Sequence, residues 1–239
     1  MAAIIAHRGA SNAEPENTIA AFRRAAEIGA EAVELDVRRS AGGVLVIHHD
    51  AHLADGRVIC DTDRIDLPLS VPTLADALDA CAEMWVNVEI KNDPAEPDFD
   101  PTESIADATV AELVGRGEDQ RWLISSFRME TIDRCRMIAP SIRTAWLTVQ
   151  IPPNVERTLV SKGHFALHPW FGALERRQLD ACHAAGVEVN VWTCDDPDRM
   201  ATLIEWGIDG ICTNVPDVAL AVRSFSGGVG RRRSAGEPA

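Results

Sequence analysis

The chain lacks any apolar run approaching the roughly 20 residues that cross a bilayer, so no stable membrane insertion is expected of it. It also lacks a Cys-x-x-Cys pair. Its six cysteines, at 60, 81, 135, 182, 194 and 212, are scattered, and most fall inside predicted strands or helices. They read as buried, reduced thiols of a cytoplasmic protein rather than as a disulfide framework. Positive charge is in short supply, with 23 Lys and Arg against 37 Asp and Glu for a net −14. A surface of that sign repels nucleic acid and anionic lipid headgroups. If the substrate carries a phosphate, local cations must overcome this field. Met1 to Ala6 already reads as a strand, which leaves no room for a signal peptide.

The 239 residues are 46% hydrophobic, enough for one domain with a sizeable core. Short β-rich runs alternate with helical ones. Strands are predicted at Ala3–His7, Ala32–Arg38, Val44–His48, Trp85–Lys91, Trp122–Phe127, Arg143–Val149, His164–Pro169, Val187–Thr193 and Gly210–Thr213. Helices are predicted at Thr18–Ile28, Thr73–Ala82, Thr102–Arg116, Met129–Ile138, Glu175–Ala185, Asp196–Trp206 and Val215–Arg223. Such alternation implies a parallel sheet wrapped by helices.

Only Arg39 to Gly43 separates the second and third strands, and Gly42-Gly43 is a turn signal. A parallel crossover needs about a dozen residues, so these two strands must form an antiparallel hairpin. Setting the return strand aside leaves the eight parallel strands of an α/β fold of the (β/α)8 TIM barrel type. The hairpin is expected to project above the rim, with His48 and His49 returning near Val33 and Glu34. The acidic, proline-rich Asn92–Pro101 reads as a loop over the mouth. The domain is taken as 1–223. Residues 224–239 are Gly-, Ser- and Arg-rich and read as a disordered tail, with Arg231-Arg232-Arg233 a solvated basic run.

Catalytic groups of such barrels sit at the C-terminal strand ends. Read in order, those ends carry His7-Arg8-Gly9, then Glu34 and Asp36, then His48-His49-Asp50 on the hairpin, then Asn87, Glu89 and Lys91. Later strands end in Ser125-Ser126-Phe127, Trp146, His168-Pro169, Trp192-Thr193 and Thr213-Asn214. Residues two apart on a strand share a face, so Glu34 and Asp36 point together, as do Asn87, Glu89 and Lys91. Three inward carboxylates without partners would cost several kcal/mol each. One hard divalent cation, Mg or Ca, removes that cost, since oxygen donors suit these ions rather than zinc. Taken singly, each piece has a plainer reading: polar strand residues, a structural His7, a simple Glu89–Lys91 ion pair. Together they equip one rim for displacement at a phosphodiester. Two imidazoles would move protons, and Arg8 and Lys91 would neutralise phosphate.

The motifs that carry this set resemble those of the glycerophosphodiester phosphodiesterase family. Ala6-His7-Arg8-Gly9-Ala10 with Pro15-Glu16-Asn17-Thr18 is similar to its opening signature, and Val33-Glu34-Leu35-Asp36-Val37 to its Glu-x-Asp strand. Val46-Ile47-His48-His49-Asp50 resembles its His-Asp motif, and Asn87-Val88-Glu89-Ile90-Lys91 its Glu-x-Lys strand. Ile124–Phe127, Val189–Thr193 and Gly207–Asn214 resemble later strands, so the likeness runs from about Ile4 to Val222. The resemblance implies the barrel, Glu34, Asp36 and Glu89 as metal ligands, and His7 and His49, rather than His48, as acid and base. It implies Arg8 and Lys91 as phosphate contacts, with Glu16 and Asn17 bracing the rim. Phe127 and Trp192 would wall the pocket, although core packing also suits them. One departure stands out. Ala51-His52-Leu53-Ala54-Asp55-Gly56-Arg57 replaces the family's usual Arg-Thr-Thr-like segment, and the stretch to Pro72 is short, so the cap insertion is reduced.

The expected reaction is hydrolysis of a glycerophosphodiester, a small phosphodiester substrate, to glycerol 3-phosphate and an alcohol such as choline, ethanolamine or inositol. The alternatives are cleavage of lysophospholipids or another phosphodiester at the same site, or a catalytically inactive binding barrel. The last would be expected to have lost a ligand or a histidine. Oligomeric state is left open by the sequence.

Overall fold

In the computed structural model of the protein, residues 1–81 and 83–232 are described, with the backbone alone for 226–232. The first strand, β1 (Ala3–His7), pairs in parallel with β2 (Ala32–Arg39) on one edge and with β9 (Gly210–Thr213) on the other, which closes the sheet on itself. Around the ring follow β4 (Trp85–Ile90), β5 (Trp122–Ser126), β6 (Arg143–Thr148), β7 (Ala166–Pro169) and β8 (Glu188–Val191), each parallel to the next. β3 (Leu45–Ile47) stands outside the ring, antiparallel to β2. The outer layer is α1 (Ile19–Ile28), α2 (Leu74–Ala80), α3 (Ser104–Arg116), α4 (Met129–Ile138), α5 (Val155–Lys162), α6 (Arg176–Ala184), α7 (Pro197–Trp206) and α8 (Pro216–Arg232). This is the (β/α)8 barrel with one additional hairpin strand that the strand count implies. No helix among the described residues is long and apolar enough to cross a membrane.

Local chemistry starts and stops these helices. The Thr18 hydroxyl accepts from the Ala21 amide at the head of α1, Thr73 does the same for α2, and Asp196 accepts from the amides of Asp198 and Arg199 ahead of Pro197 in α7. Glu175 and Gln178 form a reciprocal capping box on α6. The pattern of α5 is weaker, with only Val155 and Leu159 buried, one turn apart. α8 runs past Ser224, where the sequence suggests a tail begins, and residues 233–239 lie outside the described residues, as does Ala82 at the predicted end of α2.

Strand alternation sorts the side chains. Val33, Leu35 and Val37 of β2 face the helices and pack with Phe22, Leu74 and Leu78, while Glu34, Asp36 and Arg38 turn into the barrel. Small apolar layers fill the interior below them: Ile5, Ala32 and Cys212 in one group, Leu123, Ala145 and Ala166 in another.

β1 pairs with β2 from Ile5↔Ala32 only as far up as His7↔Glu34, so the upper half of β2 has a free edge, and β3 takes it with Val37↔Ile47 and Arg39↔Leu45. The hairpin register differs from the sequence expectation. The His48 amide donates to the Asp36 carbonyl at 3.0 Å, which puts His48 across from Asp36 rather than beside Val33 or Glu34. The cause is a turn tighter than the whole Arg39–Gly43 linker: β2 runs on to Arg39, Ser40 N–H reaches the Val44 carbonyl and Gly43 N–H the Ser40 carbonyl, with Gly43 at φ 79°, which moves each histidine two residues further along β2. The segment after β3 is compact, with two short 3-10 turns at Ile59–Asp61 and Arg64–Asp66. Leu53, Ile59, Leu67 and Val71 cover Val46 there in a satellite cluster.

Gly9 sets how closely the loop after β1 approaches α1. Its φ is +82°, and a Cβ at this position would lie 2.6 Å from the Ala21 backbone carbon. Gly9→Ala is therefore expected to destabilise the protein by more than about 2 kcal/mol, combining left-handed strain with the clash. A urea midpoint unchanged from wild type would contradict that packing.

Candidate active site

Three carboxylates meet at the C-terminal mouth. β2 supplies Glu34 and Asp36, β4 supplies Glu89, and the ladder sets Asp36 directly beside Glu89 and Glu34 beside Asn87. Oxygens from the three lie within 4.8 Å of one another, on side chains that are almost wholly buried. Oε1 of Glu34 has no hydrogen-bond partner among the described residues. Burial pushes Glu34 well above the usual carboxylate range, and the neighbouring charges of Asp36 and Glu89 add to it. Burial also raises Glu89, against the pull of Lys91. Asp36 goes the other way: the burial penalty is outweighed by Lys91, Arg8 and His49, which hold it below its ordinary value.

Cations and donors hold this cluster together. The Arg8 backbone amide donates to Glu34 Oε2 at 3.0 Å, and its Nε lies 3.2 Å from Asp36 Oδ2. Glu16 grips Arg8 Nη1 with both oxygens at 3.0 Å. Asn17 Nδ2 donates to Asp36 Oδ2 at 2.8 Å. Lys91 Nζ lies 2.9 Å from Glu89 Oε1 and 3.7 Å from Asp36 Oδ1. Arg8 and Asn17 both have left-handed backbones, φ 55° and 57°, a strained geometry that commonly marks sites where side-chain direction matters more than stability.

The two histidines occupy different surroundings. His7 Nε2 is 3.9 Å from Glu34 Oε2, and its Nδ1 is 2.7 Å from Asn214 Oδ1. Burial, and then Arg8, lower its pKa, which keeps the ring neutral. His49 is half-buried, with Nδ1 2.7 Å from Asp50 Oδ1, and it lies close enough to Asp36 and Glu89 to stabilise both charges. Nδ1 of His48 instead hydrogen-bonds the Asp50 carbonyl oxygen. His49 is thus the hairpin imidazole that shares the field of the carboxylates.

A cleft of about 550 Å³ opens beside Glu89 and Lys91, lined also by Asp93, Glu96, Phe127 and Arg128. Asn92–Pro101 contributes to its wall, as a mouth loop should. Phe127 is 42% exposed and meets Trp192 edge-on, ring centres 5.3 Å apart, so it is a wall residue rather than a core one. Trp192 donates from Nε1 to the His168 carbonyl and borders a small inner cavity shared with His7, Glu34, Asn87 and Glu89.

Four supporting residues escape the sequence argument. Arg38, fully buried, donates to the His49 carbonyl from Nε and Nη2 at 2.9 and 2.5 Å, and it ion-pairs with Asp98 and Glu96 of the mouth loop. Its one available signal was parity, as the third inward position after Glu34 and Asp36. Asn214 stood at a strand end without a role, and its partner Asp195 carried no signal. His168 lies inside the barrel, pushed to about 3 by burial and hydrogen-bonded to Asn190.

A barrel whose mouth gathers buried acids, two imidazoles and an arginine–lysine pair defines a class of hydrolytic α/β barrels. The chain belongs to the Glycerophosphoryl diester phosphodiesterase family, whose model matches residues 7–218. It is 29% identical to a glycerophosphodiester phosphodiesterase of Caldanaerobacter subterraneus subsp. tengcongensis, over 91% of this chain and 96% of that one. It is similar in structure to an Oleispira antarctica phosphodiesterase solved in complex with the product sn-glycerol-3-phosphate, with TM-score 0.81, 27% identity and coverage of 93% and 96%. A Parabacteroides distasonis glycerophosphodiester phosphodiesterase matches at TM-score 0.83, 26% identity and coverage of 95% and 98%.

The raised Glu34 and Glu89 carry a pH consequence. A carboxyl whose folded pKa exceeds its unfolded value binds its proton more tightly when folded. Its stabilising contribution is full below about 4.5, the ordinary Glu value, and is lost as pH rises through the raised value. Asp36, shifted down, contributes oppositely and on the acid side. In excess chelator, wild type is expected to lose stability from pH 5 towards pH 8, to about the extent that one or two buried charges cost. Glu34→Gln should flatten that slope. Parallel melting curves for the two proteins across this range would refute the assignment.

Proposed function

We propose that this chain hydrolyses glycerophosphodiesters to glycerol 3-phosphate and an alcohol, using one divalent cation, Mg or Ca, held by Glu34, Asp36 and Glu89, with His7 and His49 as the proton-transfer pair. The observation that carries this reading is the unpartnered Glu34 Oε1 within a buried three-carboxylate cluster beside the His7 ring. A set of oxygen donors alone, with an orphaned lone pair, fits a hard cation. When bound, such an ion polarises a phosphoryl oxygen and offsets its charge.

The remaining chemistry falls to side chains of this protein. His7, kept neutral, takes the proton of the incoming hydroxyl at Nε2. His49, with Nδ1 tied to Asp50, gives a proton from Nε2 to the departing alcohol oxygen. Among the described residues none hydrogen-bonds Arg8 Nη2, which leaves that fork for a phosphate oxygen beside Lys91. The cleft lined by Phe127 takes the leaving alcohol, with Trp192 at its inner edge. Exposed Phe127 and Val149 give that cleft some apolar surface, which keeps lysophospholipids in view as a second substrate class.

Release of glycerol 3-phosphate from glycerophosphocholine, glycerophosphoethanolamine and glycerophosphoinositol, and of lysophosphatidate from a lysophospholipid, is the direct test, and no glycerol 3-phosphate from any of the first three would refute the reading. His7→Ala is expected to cut turnover by about 10²–10⁴-fold with the fold intact. Near-normal activity in that variant would remove the acid/base role. Excess chelator should stop the reaction and Mg or Ca restore it, whereas full activity in chelator would contradict the carboxylate assignment.

A further inference from the structure

Asp195 lies in the loop between β8 and α7 and touches none of the groups assigned to the reaction. Its Oδ1 accepts from the Asn214 backbone amide and from the Thr213 hydroxyl, both at 2.8 Å, and its Oδ2 accepts from Asn214 Nδ2 at 2.6 Å. A carboxylate has no proton to donate, so the nitrogen end of the Asn214 amide must face it. The oxygen end then faces His7 Nδ1 at 2.7 Å, and it also accepts the Ser11 hydroxyl at 2.9 Å. An amide oxygen cannot donate either. The proton of the neutral imidazole is thereby held on Nδ1, and the lone pair of Nε2 is left on the side of Glu34 and the Thr193 hydroxyl, 3.9 and 3.5 Å away.

We propose that Asp195, acting through the side-chain amide of Asn214, is a positioning residue that fixes His7 as the Nδ1–H tautomer. The proposal rests on the acid/base reading of His7 given above. Asp195 is exposed, so its charge is screened. Its effect comes from acceptor identity, which screening leaves untouched.

Asp195→Asn separates this role from simple bracing. The Asn214 backbone N–H cannot turn round, so it keeps the oxygen of the new amide, and the new NH2 group meets Asn214 Nδ2 donor to donor. Rotation of the Asn214 amide relieves that conflict. It also turns an N–H towards His7 Nδ1 and drives the imidazole proton to Nε2. With divalent cation present, the expected result is a fall in kcat of about 10²-fold or more with KM little changed, since a histidine in the wrong tautomer cannot act as base. The ¹⁵N shifts of His7 should report Nε2–H in the variant and Nδ1–H in wild type. Asp195→Ala, which removes the carboxylate without adding a donor, does not force the Asn214 amide round, and it should lose less activity than Asp195→Asn and keep a population of the wild-type tautomer. Asn214→Leu removes the acceptor and should shift the proton the same way as Asp195→Asn, so it carries the test if Asp195→Asn does not fold. Wild-type kcat or an unchanged tautomer in Asp195→Asn overturns the proposal, as does an equal loss in Asp195→Ala. His7→Ala in the same assay keeps the two readings apart: if it is active, the acid/base role itself fails, and if it is inactive beside an active Asp195→Asn, only the Asp195 relay fails.

Discussion

Burying three carboxylates with oxygens inside 4.8 Å of each other is the most costly feature of this protein, and the surrounding mouth is arranged around it. Lys91 and Arg8 offset part of the charge, and the Arg8 amide and Asn17 offset part of the lost hydration. Even so, Glu34 and Glu89 remain displaced upward, and one Glu34 oxygen remains unpaired. A site under that much electrostatic tension suits a doubly charged ion far better than a proton alone. The left-handed backbones at Arg8 and Asn17 fit the same picture, because both residues must turn back towards Asp36 from the loop after β1.

Each working side chain is steadied from elsewhere in the chain. Glu16 clamps Arg8, Arg38 holds the His49 carbonyl while gripping the mouth loop, and Asp195 orients Asn214 against His7. The Glu16 clamp is local to the loop after β1 and Arg38 reaches His49 across the hairpin, whereas Arg38–Asp98 and Asn214–His7 join segments distant in sequence, and the last of these needs the closed ring. β9 returning beside β1 brings Asn214 to His7, which the chain separates by nearly its whole length. A preorganised ring of this kind spares the enzyme from ordering those groups during turnover.

Much of this was legible beforehand, because strand parity is a local property. Glu34 and Asp36 two apart on β2, and Glu89 and Lys91 two apart on β4, had to share faces whatever the rest of the chain did. The five-residue hairpin turn forced β3 out of the parallel ring for an equally local reason. Other features were not local. Whether Phe127 is core or wall depends on what packs against it, and its exposed edge against Trp192 settles that only in three dimensions. The hairpin register depended on how Ser40 and Val44 closed the turn, and the sequence could place that only to within a residue or two.

The amino-acid sequence by itself determined the eight-strand ring, the return hairpin and the inventory of acids, imidazoles and cations at the strand ends, because period, turn length and side-chain parity act over a few residues at a time. Only the tertiary structure decided that Arg38 grips Asp98 of the mouth loop and that Asp195 and Asn214 direct the His7 ring. The same holds for the Glu34 oxygen left without a partner. Hydrogen bonds between residues far apart in the chain exist only after the barrel has closed, and closure is a property of all the strands together.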